Sequence, residues 1–158
     1  MDSNKNDYEH MLFYFAYKTF IKTADEIIEK YDMSRQHHRF LFFINKLPGI
    51  TIKQLLKTLE ISKQGSHATL RKLKEEGLIV EQTSEEDRRV KQLFPTPKGS
   101  KLVDKLNKAQ NDLFSEIQER VGTDWYAIME EFASYRSGYK EIKHLKHQHE
   151  STSDTHEE

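Results

Sequence analysis

The 158-residue chain contains no cysteine. That excludes a disulfide framework, a thiolate nucleophile and any cysteine-bound metal, and it agrees with a cytoplasmic protein. Proline and glycine are scarce, at three and six residues. A β-sandwich or barrel turns about every 8–12 residues, so a mainly helical fold is expected. The longest apolar run, residues 11–17, is seven residues. A membrane-spanning helix needs about 20, so no membrane partner is expected. Residues 1–7 are polar and acidic and do not read as a signal peptide. Neither sign of charge dominates: 25 Lys and Arg face 26 Asp and Glu, a net charge of −1. The total therefore names no partner, and local charge has to be read instead. The signatures G-x-S-x-G, G-x-x-x-x-G-K-[ST], G-x-G-x-x-G and H-E-x-x-H are missing. The acid pairs Glu75-Glu76 and Glu130-Glu131 lie on charge-rich helices and read as solvated faces. No catalytic residue, cofactor or enzymatic activity is expected.

What is present is helical periodicity. A length near 158 residues fits one domain, since domains take about 100–200 residues. Over 8–31, apolar residues recur at 3.6-residue spacing (Leu12, Phe13, Ala16, Tyr17, Phe20, Ile21, Ala24, Ile27, Ile28). Met11, Tyr14 and Phe15 add apolar surface on the other side, so the first half must be covered from more than one direction. Ser34 can cap a second helix that Pro48-Gly49 ends. Thr51 and Gln54 form a capping box for a short helix to about Leu59. Ser62 caps a third helix over 63–76, which Gly77 stops. Residues 78–83 and 90–95 read as a hairpin around the polar loop 84–89, with Pro95 marking the end of an edge strand. Thr96-Pro97 starts a long helix to about Val121. Asp124 caps a last one carrying a single stripe of Trp125, Ile128, Met129, Phe132, Tyr135, Tyr139 and Ile142.

Three short helices followed by a hairpin make a winged helix-turn-helix. The expected fold is therefore mainly α with a small β-hairpin wing. Residues 34–96 form the winged-helix DNA-binding lobe. Residues 8–31 and 97–146 are dimerisation helices, because one small lobe offers too little apolar surface to cover them. Residues 147–158, polar and rich in charge, form a disordered tail.

The order and spacing of Ile61-Ser62-Lys63, residues 73–79 (Leu-Lys-Glu-Glu-Gly-Leu-Ile), Asp87-Arg88-Arg89-Val90 and Thr96-Pro97-Lys98-Gly99 resemble the MarR family of bacterial transcription regulators over 8–142. The resemblance implies an obligate homodimer on a pseudo-palindromic operator of double-stranded DNA, and often a small-molecule effector that weakens DNA binding. It implies that Asp87 and Arg89 belong to the wing motif, with Arg89 the inserting residue. Ser66 and Thr69 stand on the inward face of the recognition helix where the family usually has apolar residues. Phe94-Pro95 replaces the more usual aliphatic end of the second wing strand.

The residues themselves point to nucleic acid. Between Thr51 and Lys74 there are six basic residues and one acid, a local charge of +5. Lys63, Gln64, His67, Arg71 and Lys74 share the face of the third helix opposite Leu70 and Leu73. Basic side chains release condensed counterions, and long polar ones reach base edges in the major groove. Lys63, Gln64 and His67, in the first turn, are the expected base contacts. Arg88 and Arg89 at the hairpin tip suit a narrow minor groove, and Asp87 can accept hydrogen bonds from Arg89 and hold it extended.

Ten of the 17 aromatics lie between Tyr8 and Phe43. They read first as core and dimer packing, and second as a ligand pocket walled by Tyr17, Phe20, Arg35, His38 and Phe42, where the family's effectors bind. Of the eight histidines, His37 and His38 point about 100° apart on a helix and do not converge on one ion, since 3.6 residues make a turn. His10 stands apart in the first helix. His144, His147, His149 and His156 belong to a segment without fixed geometry, so no metal is expected. The function read from the chain is a dimeric DNA-binding regulator, a repressor released by a ligand. The alternatives are a winged-helix protein-interaction module without DNA contact and a metal-responsive regulator.

Overall fold

The computed structural model describes residues 3–153. The elements run α1 (Ser3–Ile28), a 3-10 turn (Glu29–Tyr31), α2 (Arg35–Lys46), β1 (Ile50–Thr51), α3 (Ile52–Leu59), a 3-10 turn (Gln64–Ser66), α4 (His67–Glu75), β2 (Ile79–Thr83), β3 (Lys91–Pro95), α5 (Pro97–Val121), α6 (Trp125–Ser134) and α7 (Ser137–Ser153). The expected mainly helical winged fold is the observed one.

Local chemistry places most of these boundaries. Thr51 accepts the Gln54 N–H through its hydroxyl at 3.1 Å, and the Gln54 side chain accepts the Thr51 N–H at 3.0 Å. Both orphan donors at the start of α3 are thereby satisfied. At α2 the same reciprocal device uses a histidine: the His37 Nδ1 accepts the Ser34 N–H at 3.0 Å. Gly77 closes α4 at φ +69°, a conformation glycine adopts without steric cost. Leu78 N–H then reaches back to the Leu73 carbonyl at 3.0 Å, the longer bond of a Schellman end.

The three strands form one antiparallel sheet in the order β1-β3-β2. The hairpin was expected; β1 was not. Because β1 pairs Ile50 with Leu93 and Thr51 with Gln92, β3 is the central strand and not an edge. Pro95 fits there because β1 stops short of it. Pro95 is opposed only by Ile79 of β2, and its missing N–H breaks no ladder on the other side.

The core lies in the winged lobe and against the C-terminal half of α1. Ile28, Phe40, Leu41, Ile44, Leu55, Leu73, Leu78, Ile79, Leu93, Val103 and Leu106 are buried. They come from α1, α2, α3, α4, the sheet and α5, and the cluster continues through Leu47, Leu70 and Leu102.

The run Thr96-Pro97-Lys98-Gly99 locks α5 onto the end of α4. The Thr96 hydroxyl accepts the Gly99 N–H at 3.1 Å and donates to the Gly77 carbonyl at 2.6 Å. The Lys98 ammonium donates to the Glu76 carbonyl at 2.8 Å. Gly99 then passes so close to Leu78 that a Cβ would lie 2.1 Å from the Leu78 carbonyl oxygen. Thr96 and Lys98 thus bond to the three consecutive residues Glu76, Gly77 and Leu78, and Gly99 packs against the last of them. Gly99→Ala is expected to cost about 3 kcal/mol, because backbone on both sides must move. A melting temperature equal to the parent's would contradict this packing.

The expected single last helix is two helices. α6 ends at Ser134 and α7 begins at Ser137. The break turns the chain back onto α3. Arg136 donates to Glu60 at 2.9 Å and Ser137 donates to the same carboxylate at 3.1 Å. Gly138 meets the Thr58 carbonyl so closely that a Cβ would be 1.9 Å from it. Lys57 pairs with Glu141 at 3.2 Å. The apolar stripe is therefore divided: Ile128, Phe132 and Tyr135 stay exposed, whereas Tyr139 and Ile142 on α7 are half-buried, and Leu145 beyond them joins the core. The helix continues to Ser153, past residue 147 where the tail was expected to begin; residues 154–158 lie outside the described residues.

Candidate nucleic-acid interface

The second helix of the helix-turn-helix does not begin as one α-helix at Lys63, as expected. A 3-10 turn, Gln64–Ser66, leads into α4 at His67. Ser62 caps this turn: its hydroxyl accepts the Gly65 N–H at 3.4 Å. The Ser66 hydroxyl bonds back to the Lys63 carbonyl at 2.7 Å. Side-chain bonds to a local carbonyl of this kind compete with regular helix and tighten the turn.

The inward face is as polar as the sequence implied. Ser66 and Thr69 are buried. Their hydroxyls are satisfied within the lobe, Ser66 by Lys63 and Thr69 by the Gln36 amide at 2.9 Å. A buried hydroxyl costs little once it is bonded, so the helix is seated without the apolar residues expected there. Leu70 and Leu73 anchor its second half in the core.

The outward face presents Lys63, Gln64, His67 and Arg71, all exposed. Lys63, His67, Arg71 and Lys74 line one concavity of about 590 Å³ with Ile52, Ser66, Leu70 and Glu81. Lys74 differs from the others because its ammonium pairs with Glu81 of β2 at 2.8 Å. That pairing ties α4 to the wing and offsets the lysine's charge.

Asp87, Arg88 and Arg89 stand in the wing loop as expected. Asp87 accepts the Arg89 backbone N–H at 3.0 Å, its Nε–H at 3.1 Å and one Nη2–H at 3.2 Å. These bonds from the Arg89 side chain first, and its backbone second, hold the Asp87 carboxyl below the usual carboxylate range. The Arg89 side chain remains 90% exposed. Two of its five N–H donors are used by Asp87, which leaves the rest for an outside acceptor.

A second, larger cleft of about 1120 Å³ joins the wing to α3. Lys53, Lys57, Lys63, Arg89 and Lys91 line it, with Glu60 as the single acid among its lining residues. Lys63 thus borders both concavities. Lys53, Lys57 and Lys91 were not among the site residues read from the sequence. Lys53 and Lys57, four residues apart on one helix face, carried a signal. Lys91 sits on a strand and carried none.

Of the five residues of the ligand-pocket reading, Tyr17, Arg35 and His38 are linked, because Arg35 bonds to Tyr17 and shares Asp25 with His38, whereas Phe20 and Phe42 pack elsewhere. Arg35 makes a two-bond pair with Asp25 at 2.7 and 3.3 Å, and the bond to Asp25 raises its pKa above the ordinary arginine value. Tyr17 accepts from Arg39 at 2.9 Å. Phe20 packs on Phe114 with ring centres 5.3 Å apart, and Phe42 on Phe43 at 5.2 Å. His38 is buried. A groove of about 420 Å³ on α1 has Asp25 and Arg35 in its wall and shares only Arg35 with the five. Among the described residues, no group of three or more His, Asp or Glu is placed to hold a metal ion. His147, His149 and His156 fall outside the residues whose side chains are described.

His37 and His38 have pKa values lowered from 6.5, in both cases first by burial of the imidazole. A lowered folded pKa means that the unfolded chain takes up protons first on acidification. The stability is present above about pH 6.5 and is lost as pH falls below it. The urea midpoint is expected to fall between about pH 7.5 and about pH 5.5, and His38→Leu should flatten part of that slope. A midpoint that is level or rises on acidification would contradict the burial of these rings.

A helix-turn-helix with a basic, exposed second helix, flanked by an arginine-tipped wing, defines the winged helix-turn-helix class. Residues 31–90, the winged lobe, match the model of the MarR family. It is 37% identical over 97 residues to the HTH-type transcriptional regulator PetP of Rhodobacter capsulatus, covering 61% of this chain and 58% of PetP. It is 29% identical over 77 residues to the HTH-type transcriptional regulator YybA of Bacillus subtilis, covering 49% and 51%. The chain thus spans between half and three fifths of these relatives. The fold is shared with Streptococcus pneumoniae FabT in complex with DNA (TM-score 0.65, 22% identity, 87% of this chain and 99% of that one). It is shared also with the S. aureus MepR-DNA complex (TM-score 0.63, 20% identity, 80% and 93%). No helix among the described residues is long and apolar enough to cross a membrane.

Proposed function

We propose that the chain acts as a homodimeric transcription regulator that binds a pseudo-palindromic DNA operator and represses until a small-molecule effector releases it. One observation carries the reading. Exposed Lys63, Gln64, His67 and Arg71 at the start of the second helix lie beside a basic cleft that reaches Arg89 at the wing. That arrangement suits one helix in a major groove with its first turn at the base edges, and an arginine in the flanking minor groove. Lys53 and Lys91 would meet phosphates, which position the protein without reading sequence. The DNA complexes of FabT and MepR and the regulator name of PetP point the same way.

Dimerisation is supported by the apolar surface that α1 and α6 leave uncovered in one chain. Tyr8, Met11, Leu12, Phe15, Ile128 and Phe132 are each at least half exposed. Contiguous apolar surface of this kind marks an interface. The effector would act where α1 meets α2, around Tyr17, Phe20, Arg35, His38 and Phe42, because a shift there changes the separation of the two lobes.

Binding to a random-sequence duplex, titrated with salt, tests the reading. The logarithm of affinity should fall linearly with the logarithm of salt concentration, at about −0.9 for each phosphate neutralised. A protein-interaction module would show no such binding.

A further inference from the structure

We infer that Gln36, in the first turn of α2, is a positioning residue for the reading of DNA sequence: its amide holds the start of the recognition helix in one orientation. The inference rests on the DNA-binding reading above. The second half of the recognition helix is fixed by the buried Leu70 and Leu73. Its first half, which carries Lys63, Gln64 and His67, has no apolar anchor of its own. There the inward residues are Ser66 and Thr69, both buried. Packing of leucines tolerates small rotations and slides, whereas hydrogen bonds are directional.

The Gln36 amide supplies that direction. Its Nε2 donates to the Gly65 carbonyl at 2.8 Å and to the Thr69 hydroxyl at 2.9 Å. Both N–H groups of one amide are thus used, one on the 3-10 turn and one on α4 itself. Gly65 is held from both sides, because the Ser62 hydroxyl accepts its N–H. The turn that bears Gln36 is held in its own place. Arg35 pairs with Asp25 of α1, and Arg39 donates to Tyr17 of α1. Neither bond of the Gln36 amide goes to an outward side chain, so it acts through the backbone that presents those side chains.

The Gly65 carbonyl can only accept, so the chemistry requires a donor at this position and not merely bulk. The test compares the parent, Gln36→Met and Gln36→Lys on two duplexes at one ionic strength: an operator selected by the parent, and a shuffled duplex of equal length and composition. Gln36→Met keeps the size and loses the donor. It is expected to bind the operator about tenfold more weakly and the shuffled duplex as the parent does. Gln36→Lys keeps an N–H donor for both acceptors and should retain the parent's ratio of the two affinities. Thr69→Val removes one acceptor and should lose part of the ratio. It provides the same reading should Gln36→Met fail to fold. A ratio unchanged in Gln36→Met and Thr69→Val would overturn the inference. So would an equal loss on both duplexes, or an equal loss of ratio in the methionine and lysine variants. A parent that does not discriminate between duplexes would overturn the DNA-binding reading itself, and this inference with it. Discrimination by the parent that survives in Gln36→Met would overturn the inference alone.

Discussion

Ile128→Asp is expected to convert the protein from a dimer into a monomer. Ile128 lies midway along α6, where no residue of the helix is buried within the chain, and its own side chain is 56% exposed. Removing it should leave the fold of the single chain intact. In the dimer the same position would be covered by apolar surface from the second copy. A carboxylate there would be desolvated without a partner. Losses of about 3 kcal/mol are usual for a central apolar contact, equivalent to a more than hundredfold weaker dimer. Operator affinity should fall with it, because a monomer engages one half-site. Sedimentation at micromolar concentration checks this. The parent should sediment at twice the chain mass of 18.8 kDa, and the variant at that mass. A parent that is a folded monomer would remove the basis for the uncovered faces of α1 and α6.

The second large effect separates base contacts from groove contacts. His67 opens α4 and is exposed beside Lys63 and Arg71. His67→Ala should cost about 1–3 kcal/mol on the operator, relax the preference at one position in each half-site and barely change random-sequence binding. Arg89→Ala removes a charge that the wing holds out to solvent through Asp87. It should weaken binding to every duplex and make the salt slope shallower by about one unit. A preference for A·T pairs beside the half-site should fade as well, because those pairs narrow the minor groove. Both side chains lie outside the core, so melting temperatures should hold. Variants that bind operator and random DNA as the parent does would show that neither element touches DNA.

The parts of this fold that were legible in the sequence are those decided by near neighbours. Thr51 and Gln54 bond across three residues, as do Thr96 and Gly99. A capping box or a Thr-Pro start therefore reads directly from the chain. The outward face of α4 follows from its period alone. What was not legible depends on residues far apart. The strand β1 is two residues long and exists only because Leu93 and Gln92 lie opposite it. The division of α6 from α7 leaves the apolar spacing undisturbed through Tyr135 and Tyr139. It is held by Glu60, whose bond to Ser137 spans 77 residues. Gly138 was its only local mark.

The same division runs through the candidate site. His67 and Arg71 could be placed outward from helical spacing. The pairing of Lys74 with Glu81 could not, nor could the seating of Ser66 and Thr69. A polar residue on an inward face reads as a defect until its partner is known, and for Thr69 that partner, Gln36, is 33 residues away. His37 gave no sign of being a helix cap, because its geometry, not its residue type, makes it one.

Selection of bound duplexes from a random-sequence pool by the full chain shows whether the helix and the wing read DNA sequence as a dimer. Enrichment of a two-fold symmetric sequence is expected, with half-site centres one helical turn apart, about 10–10.5 base pairs, or a multiple of it. Preference should be strongest where Lys63, Gln64 and His67 meet base edges. A pool that emerges unenriched, from a protein that is folded and dimeric, would contradict it.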